Sequence, residues 1–181
     1  MNEIEGFIQG NERAFGTLVN RHKERIYRVV LRIVRNKEEA KDLAQDAFVK
    51  AYRNRQNFRA ESGFYTWVYR IAVNLALNYV NRNRDRQAES IENVQPSSLA
   101  VASNDALEGR ELSGVISSAI EKLPGRQRTV FALRHYEEKP YLEIASLLSI
   151  TEGAAKANYH QAIKKLQKSL GLYIEKGRLP A

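Results

Sequence analysis

The stretch PYLEIASLLSITEGAAKANYHQAIKKLQKSL, residues 140–170, decides the fold of the C-terminal part of the chain. Pro140 suits the first turn of a helix, and apolar residues at helical spacing follow it. Ser149 and Ile150 supply a short turn, and Thr151 can cap a second helix that we expect to end before Gly171. Two helices joined by about three residues, the second rich in Lys, Gln and Asn, predict a helix-turn-helix.

Two further helices are predicted before this motif. One covers Asp105 to Lys122 and stops at Leu123-Pro124, and the other runs through RQRTVFALRHY, residues 126–136. The segment DRQAESIENVQPSSLAVASNDALEG, residues 85–109, is rich in Ser, Asn, Glu and Gln and has no apolar period, which is typical of a flexible linker. The sequence therefore predicts a C-terminal domain over 108–181 behind a linker over 86–107.

The N-terminal part, residues 1–85, is predicted to be a small helical bundle. Asn11 caps the first helix, and Asn36 caps the second with Glu39 in a capping-box-like position. Apolar residues at i, i+3, i+4 and i+7 define the buried stripes of both helices. The stripes are Phe15, Leu18, Val19, His22, Ile26, Val29, Val30 and Ile33, then Ala40, Leu43, Ala44, Ala47, Phe48, Ala51 and Tyr52. A third helix is expected from Ser62 or Gly63 to about Asn83. The predicted fold class is all-α, with two small helical domains.

The stretch FRAESGFYTWVYR, residues 58–70, combines aromatic and basic residues. Between Ala47 and Arg84 there is one acid, Glu61, among seven basic residues. Positive charge holds phosphates and aromatic faces stack unpaired bases, at about 1–3 kcal/mol per base. The pattern therefore favours capture of single-stranded nucleic acid, although some of these rings must be core. We expect Trp67 and Ile71 to pack inside, while Phe64 and Tyr65 fit either role.

Composition narrows the function classes. The net charge of +8 favours a polyanionic partner, nucleic acid first and an anionic membrane surface second. The absence of cysteine excludes disulfides and thiolate metal sites, and three scattered histidines make a metal site or cofactor unexpected. The start MNEIEGFIQG does not read as a signal peptide, and no stretch approaches the roughly 20 apolar residues of a membrane span. We expect a cytoplasmic protein that is not embedded in a membrane.

Three segments together resemble a bacterial RNA polymerase sigma factor of the extracytoplasmic-function (ECF) group. They are KDLAQDAFVKAYRN at 41–54, NFRAESGFYTWVYRIAVNLALNYV at 57–80, and LPGRQRTVFALRHYEEKPYLEIASLLSITEGAAKANYHQAIKKL at 123–166. The resemblance implies a transcription initiation factor without enzymatic activity. It implies three partners: core RNA polymerase, promoter DNA and an anti-sigma factor.

The resemblance assigns roles in the N-terminal domain. One face of the second helix would dock on the basic coiled coil of the polymerase clamp, although spacing alone also fits a solvated helix face. Its residues are Asp42, Gln45, Asp46 and Val49. A loop matching Arg59 to Phe64 would hold an extruded base of the −10 element. The predicted −10 contacts are Phe58, Arg59, Glu61, Ser62, Phe64, Arg70, Asn74, Asn78, Arg82 and Arg84.

In the C-terminal domain the resemblance places the last helix in the major groove of the −35 element. The predicted contacts are Lys156, Asn158, Tyr159, His160, Gln161, Lys164 and Lys165, with Arg126 and Arg128 on phosphates. Several positions depart from the family pattern. Many relatives carry arginine at the positions of Asn158 and Gln161, a small polar residue at Ala157, and Thr-Val where this chain has Ala154-Ala155. These departures imply weaker upstream affinity or an unusual recognition sequence.

Three other interpretations remain open at the level of sequence. An ordinary helix-turn-helix regulator would explain residues 111–181 but not the aromatic-basic segment or the Asp42 face. A nuclease or recombinase would require clustered carboxylates or a nucleophile with its base, and no such neighbourhood is recognisable. The third interpretation is a relative of the family that no longer starts transcription. Only the departures in the last helix bear on it.

Overall fold

The computed structural model describes residues 2–59, 63–89 and 107–175, and helices form nearly all of this part of the chain. The helices are α1 (Glu3–Ile8), α2 (Glu12–Val34), α3 (Lys37–Arg53), α4 (Phe64–Glu89), α5 (Leu107–Glu121), α6 (Gly125–His135), α7 (Tyr141–Leu148) and α8 (Glu152–Glu175), with a 3₁₀ turn at Arg55–Asn57. No strand occurs within these ranges. The chain divides into two compact units, Met1–Val80 and Asn81–Ala181. The all-α prediction with two helical domains is confirmed.

Asparagine side chains start both long helices of the first unit. Asn11 Oδ1 accepts the backbone N–H groups of Arg13 at 3.0 Å and Ala14 at 3.1 Å. Asn36 Oδ1 does the same for Glu38 and Glu39, at 3.0 and 3.2 Å. These bonds satisfy N–H groups that have no partner inside the helix. Both caps had been predicted from the sequence.

Helix α1 was not predicted. Asn2 caps it, and Glu5 completes a capping box by reaching back to the Asn2 N–H at 3.1 Å. The helix places Phe7 in the core with no exposed surface. Gly10 makes the turn into α2 with φ of 84°, a left-handed conformation that costs glycine little. The Asn-x-x-Glu spacing at residues 2–5 was the available signal for this helix.

The first core is built from α1, α2, α3, α4 and Phe58. Most predicted stripe residues are buried, while Phe15, Val19, His22, Leu43 and Tyr52 are half-buried at its edge. On α4 the deepest residues are not the predicted pair Trp67 and Ile71, which are half-buried. The buried α4 side chains are Phe64, Val68, Tyr69, Ala72, Val73, Ala76, Leu77 and Val80.

Helix α8 is the centre of the second unit, where it packs against α5, α6 and α7. Its buried positions Ala162 and Leu166 join a cluster with Ala119, Ile120, Leu123 and Phe131. Between α7 and α8, Ser149 adopts a left-handed conformation with φ of 52°, and Thr151 Oγ1 accepts the Ala154 N–H at 3.1 Å. The helix-turn-helix and its Thr151 cap are therefore present as predicted.

Two helix ends differ from the prediction. Helix α8 continues through Gly171 to Glu175, because one glycine costs a helix interior only about 1 kcal/mol. Helix α4 extends to Glu89 rather than ending near Asn83, so the first residues of the predicted linker are helical. Residues 90–106 of that linker lie outside the described residues, and its last residue, Leu107, begins α5.

Candidate nucleic-acid interface

An aromatic cluster centred on Phe7 lies beneath the start of α4. The Phe7 ring centroid lies 6.0 Å from Phe58, 5.0 Å from Phe64 and 6.2 Å from Trp67. These edge-on arrangements are the geometry that aromatic pairs prefer. Phe58 and Phe64 are only 6% and 3% exposed. They were predicted to contact −10 DNA, and the structure corrects that expectation, because rings buried in a core offer no face to a base.

The 3₁₀ turn before Phe58 is tied to the α1–α2 turn. Tyr52 Oη donates a hydrogen bond to the Gly10 carbonyl at 3.0 Å. The Arg55 guanidinium lies 4.8 Å from the Tyr52 ring and donates to the Tyr52 carbonyl at 3.1 Å. A Cβ at residue 10 would come within 3.1 Å of this guanidinium, so glycine suits the position for space as well as for φ. These contacts fix the backbone that enters the predicted base-holding loop.

The four arginines of the predicted −10 set and Asn78 lie on the surface. Arg59, Arg70, Asn78, Arg82 and Arg84 are exposed. Asn74 is half-buried, and its Nδ2 donates to the Arg70 carbonyl at 2.9 Å. This bond orients the amide along its own helix. Glu61 and Ser62 lie outside the described residues.

Tyr65, at the start of α4, is held between two side chains of α2. The His22 ring lies 5.4 Å from the Tyr65 ring, and the Arg25 guanidinium lies 4.2 Å from its centroid. Burial lowers the pKa of His22, and the charges of Arg21 and Arg25 lower it further, against a smaller opposing effect of Glu3. The positions of His22 and Arg25 at this site were not predicted, because contacts between two helices leave no local spacing signal.

The predicted acidic face of α3 is fully on the surface. Asp42, Gln45 and Asp46 are exposed, and Val49 is 44% exposed, high for an aliphatic residue. The opposite face carries the buried Ala40, Ala44, Ala47 and Ala51. An exposed aliphatic side chain flanked by carboxylates can serve a small protein interface.

The predicted −35 residues of α8 fall into two groups, one exposed and one half-buried. Lys156, His160, Gln161, Lys164 and Lys165 are exposed. Asn158 is half-buried and donates to the Ala154 carbonyl of its own helix at 2.8 Å. Tyr159 is half-buried, with its ring centroid 6.2 Å from Phe131 and 6.0 Å from Tyr141. These two side chains therefore also support the fold, and their contacts with DNA stay predictions.

Lys156 has neighbours that the sequence analysis did not consider. Its Nζ lies 2.7 Å from Glu152 Oε1 and 6.0 Å from the centre of the Tyr141 ring. Both members of the ion pair are about half exposed, so the pair adds little stability. It does place a carboxylate beside the cation predicted to contact DNA.

The two predicted phosphate contacts of α6 differ in environment. Arg126 is exposed. Arg128 is half-buried, and its Nη2 donates to the Glu121 carbonyl at the end of α5. A cation satisfying the last carbonyls of a helix is a structural arrangement. Arg128 therefore also caps the end of α5, and its contact with a phosphate stays a prediction.

Other site types find no support in the described ranges. No group of three or more His, Asp or Glu side chains is arranged there to hold a metal ion. Among those same residues, no helix is both long enough and apolar enough to cross a lipid bilayer.

Two helical units, with a cationic face on the second helix of a helix-turn-helix, are typical of proteins that act on DNA in transcription. Comparison with known families makes this specific. The family Sigma-70 region 2 matches residues 18–86, and Sigma-70, region 4 matches residues 113–166.

Full-length relatives agree with these family matches. The chain is 34% identical to the ECF RNA polymerase sigma factor SigW of Bacillus subtilis, over 92% of this chain and 94% of the relative. It is 34% identical to the RNA polymerase sigma-H factor of Pseudomonas aeruginosa, over 92% and 91% of the two chains. The chain belongs to the RNA polymerase sigma factors of the ECF group, as the sequence motifs predicted.

Solved structures show the same fold. CnrH, in complex with the cytosolic domain of CnrY, matches with a TM-score of 0.64 at 24% identity, over 94% of this chain and 96% of that one. The sigma factor RpoE of Bartonella quintana, in complex with the anti-sigma factor NepR, matches with a TM-score of 0.61 at 21% identity, over 87% and 96%.

Proposed function

We propose that this protein binds core RNA polymerase, directs it to specific promoters and helps to open the −10 region for initiation. Residues 1–85 would bind core polymerase and the −10 element, residues 108–181 the −35 element, and residues 86–107 would join them. The protein would act in the cytoplasm as a binding factor rather than an enzyme. The observation that carries the proposal is full-length similarity to ECF sigma factors together with an exposed acidic α3 face and separate cationic faces on both units.

The α3 face is the proposed contact with core polymerase. Asp42, Gln45, Asp46 and Val49 are exposed on one side of a helix whose other side is core. Carboxylates around an aliphatic centre complement a basic partner with some apolar surface, such as the clamp coiled coil. Charge would steer the encounter, and Val49 would supply apolar contact.

The −10 element would be held mainly by cations and by the loop that the aromatic cluster supports. Arg59 lies at the start of the loop, and Arg70, Arg82 and Arg84 follow on α4 as candidate phosphate contacts. Phe58 and Phe64 would fix the loop rather than stack on a base. Asn74 would reach a base edge only if its bond to the Arg70 carbonyl is exchanged.

The −35 element would be read by the exposed face of α8. Lys156 and His160 lie one turn apart on that face, and Gln161 and Lys164 continue it. Lysine can donate to guanine O6 and N7, and glutamine can pair with adenine. Because Asn158 bonds to its own helix, fewer side chains are available for base contacts than the motif alone suggests.

We further propose that an anti-sigma factor restrains this protein. The CnrH and RpoE structures that share its fold were solved in complex with the cytosolic domain of CnrY and with the anti-sigma factor NepR. The same exposed faces that would bind polymerase and DNA are available to such a partner.

Run-off transcription with bacterial core polymerase on a genomic fragment library tests the main proposal. The chain should produce discrete transcripts that core alone does not make. The double variant Asp42→Arg/Asp46→Arg should lose core binding by tenfold or more, because like charges would face the clamp. Glu24→Arg, an exposed charge reversal on α2, is the matched control and should bind core normally.

Two results would count against the proposal. Unchanged core binding by the double variant would remove the interface from α3. Tight binding of the chain alone to duplex DNA, with no transcript from any fragment, would favour an ordinary helix-turn-helix regulator.

A further inference from the structure

Helix α2 carries a row of cations that the proposed function does not use. Arg21, Arg25 and Arg28 lie four and three residues apart, and this spacing places them on one side of the helix. All three are exposed. We call these three residues the arginine stripe. Arg32 follows at the same spacing and is half-buried.

We propose that the arginine stripe binds the phosphate backbone of single-stranded DNA, as a continuation of the surface that captures the −10 base. This inference rests on the proposed function. The ligand is the same unpaired promoter strand, at the nucleotides that adjoin the captured base. The stripe would lengthen the strand-binding path from α4 onto α2.

Contact between the stripe and α4 supports a continuous path. The Arg25 guanidinium carbon lies 4.2 Å from the centroid of Tyr65, the second residue of α4. His22 lies 5.4 Å from the same ring and 6.0 Å from Phe64. Arg59, the last residue described before residues 60–62, is also exposed. Arg25 is therefore the stripe residue that contacts the start of α4.

The charges of the stripe are poorly neutralised. Arg21 pairs with Glu3, with Nη1 and Oε2 2.7 Å apart. Arg28 Nε donates to the Glu24 carbonyl of its own helix, which leaves its charge uncompensated. Arg25 forms no ion pair with any residue that the structure describes. Like charges three and four residues apart destabilise a helix, so a bound polyanion would stabilise this one.

The arrangement of Arg25 suits nucleic acid better than an acidic protein. A guanidinium stacked on an aromatic ring presents a second planar face, and arginine planes stack on unpaired bases. Arg25 can therefore bond to a phosphate through its edge or stack on a base through its open face. An acidic protein surface would use only the charge.

The test uses holoenzyme assembled from the full chain and core polymerase. The probes are promoter DNA duplexes whose −10-side strand continues as single-stranded extensions of stepwise length. Arg25→Gln should weaken binding about three- to tenfold, and only for extensions that pass beyond the captured base. The slope of log K against log salt should shrink by about 0.7, the value for one phosphate contact on a single strand.

Matched variants separate charge from fold. Arg13→Gln removes an exposed arginine of the same helix, but its position is off the stripe, so affinity for every probe should be unchanged. Arg25→Lys keeps the cation and should keep the wild-type salt slope while losing part of the affinity. Circular dichroism of all three variants should match that of the wild type.

Three results would overturn the inference. Arg25→Gln could behave as Arg13→Gln on long extensions, or Arg25→Lys could show the reduced slope of Arg25→Gln. Arg25→Gln could also weaken core binding while preformed holoenzyme binds all probes normally, which would assign the stripe to a protein partner. Failure of wild-type holoenzyme to bind any extension or to transcribe would instead refute the proposed function, and the inference with it.

Discussion

The start of α4 and the exposed face of α8 both combine aromatic rings with cations. The two surfaces differ in how many elements contribute their side chains. Near α4 the rings come from α1, the residue after the 3₁₀ turn and α4 itself, and they interlock around Phe7. On α8 the Tyr159 ring packs inward beside exposed residues of the same helix. The first surface therefore combines side chains of several elements, whereas the exposed residues of the second all lie on one helix.

The difference teaches where spacing along a helix is sufficient evidence. In both regions the rings Phe58, Phe64 and Tyr159 turn inward and the cations outward. On α8, the helical period alone separates the inward ring from the outward cations, so the exposure of its lysines could be predicted from the sequence. For α4, the neighbours of Tyr65 come from α2, and no single-helix period contains them.

The largest expected effect concerns Phe64. Phe64→Ala should destabilise the first unit by about 3–5 kcal/mol, because it leaves a cavity among buried rings. Urea unfolding followed by fluorescence of Trp67, the one tryptophan of the chain, reports on this unit. Thr66→Ala, at an exposed position of the same helix, should change stability by less than about 0.5 kcal/mol. If Phe64→Ala has normal stability but loses promoter opening, then Phe64 contacts DNA and is not a core residue.

A second pair of variants compares neighbours on α8. Tyr159→Ala should lower the stability of the second unit by about 2 kcal/mol, since its half-buried ring packs on Phe131 and Tyr141. His160→Ala should leave stability within about 0.5 kcal/mol and weaken binding to the −35 element instead. Thermal unfolding and promoter binding measured on both variants check the contrast. Equal loss of stability from both would mean that His160 is also a packing residue.

The ion pair on α8 gives a third, smaller prediction. Glu152→Gln should raise the affinity of holoenzyme for promoters with a −35 element by about threefold, because it removes a carboxylate beside Lys156. Lys156→Ala should lower the same affinity. If Lys156 contacts only phosphate, the loss should be uniform across sequences and the salt slope should shrink by about one. No change in either variant would make this turn of α8 a packing element.

The smallest effect is a pH dependence at His22. Its pKa is lowered in the folded state, chiefly by burial, so folding favours the neutral ring. The stabilisation from this neutral ring is fully present above the unfolded-state pKa of about 6.5. It is lost as the pH falls through the lower folded-state pKa. His22→Gln should therefore lose less stability than the wild type between pH 7 and 5, as measured by Trp67 fluorescence. His160→Gln should retain the wild-type dependence.

Much of the fold could be predicted because its signals are local. Asn11 and Asn36 precede regular apolar stripes, and Thr151 begins the last helix after a short turn. The α3 face was predicted for the same reason, since the exposure of Asp42 and Asp46 follows from the buried stripe opposite them.

The remaining features depend on contacts between distant residues. Phe58 and Phe64 were predicted to bind DNA, but both rings pack against Phe7. Phe7 lies 57 positions before Phe64 in the sequence. The hydrogen bond from Arg128 to the Glu121 carbonyl at the end of α5 was likewise not predicted. Spacing within one segment contains neither fact.

The two-residue turn between α2 and α3 has a kinetic consequence. Arg35 closes α2 in the left-handed conformation and Asn36 opens α3, so two helices that pack together are also neighbours in the chain. Low contact order favours rapid folding, and this hairpin can form as soon as its 42 residues, Glu12–Arg53, are available. The Phe7–Phe64 contact closes a much longer loop and has a larger entropic cost. We therefore expect the helical hairpin to assemble first and the aromatic cluster to close over it last.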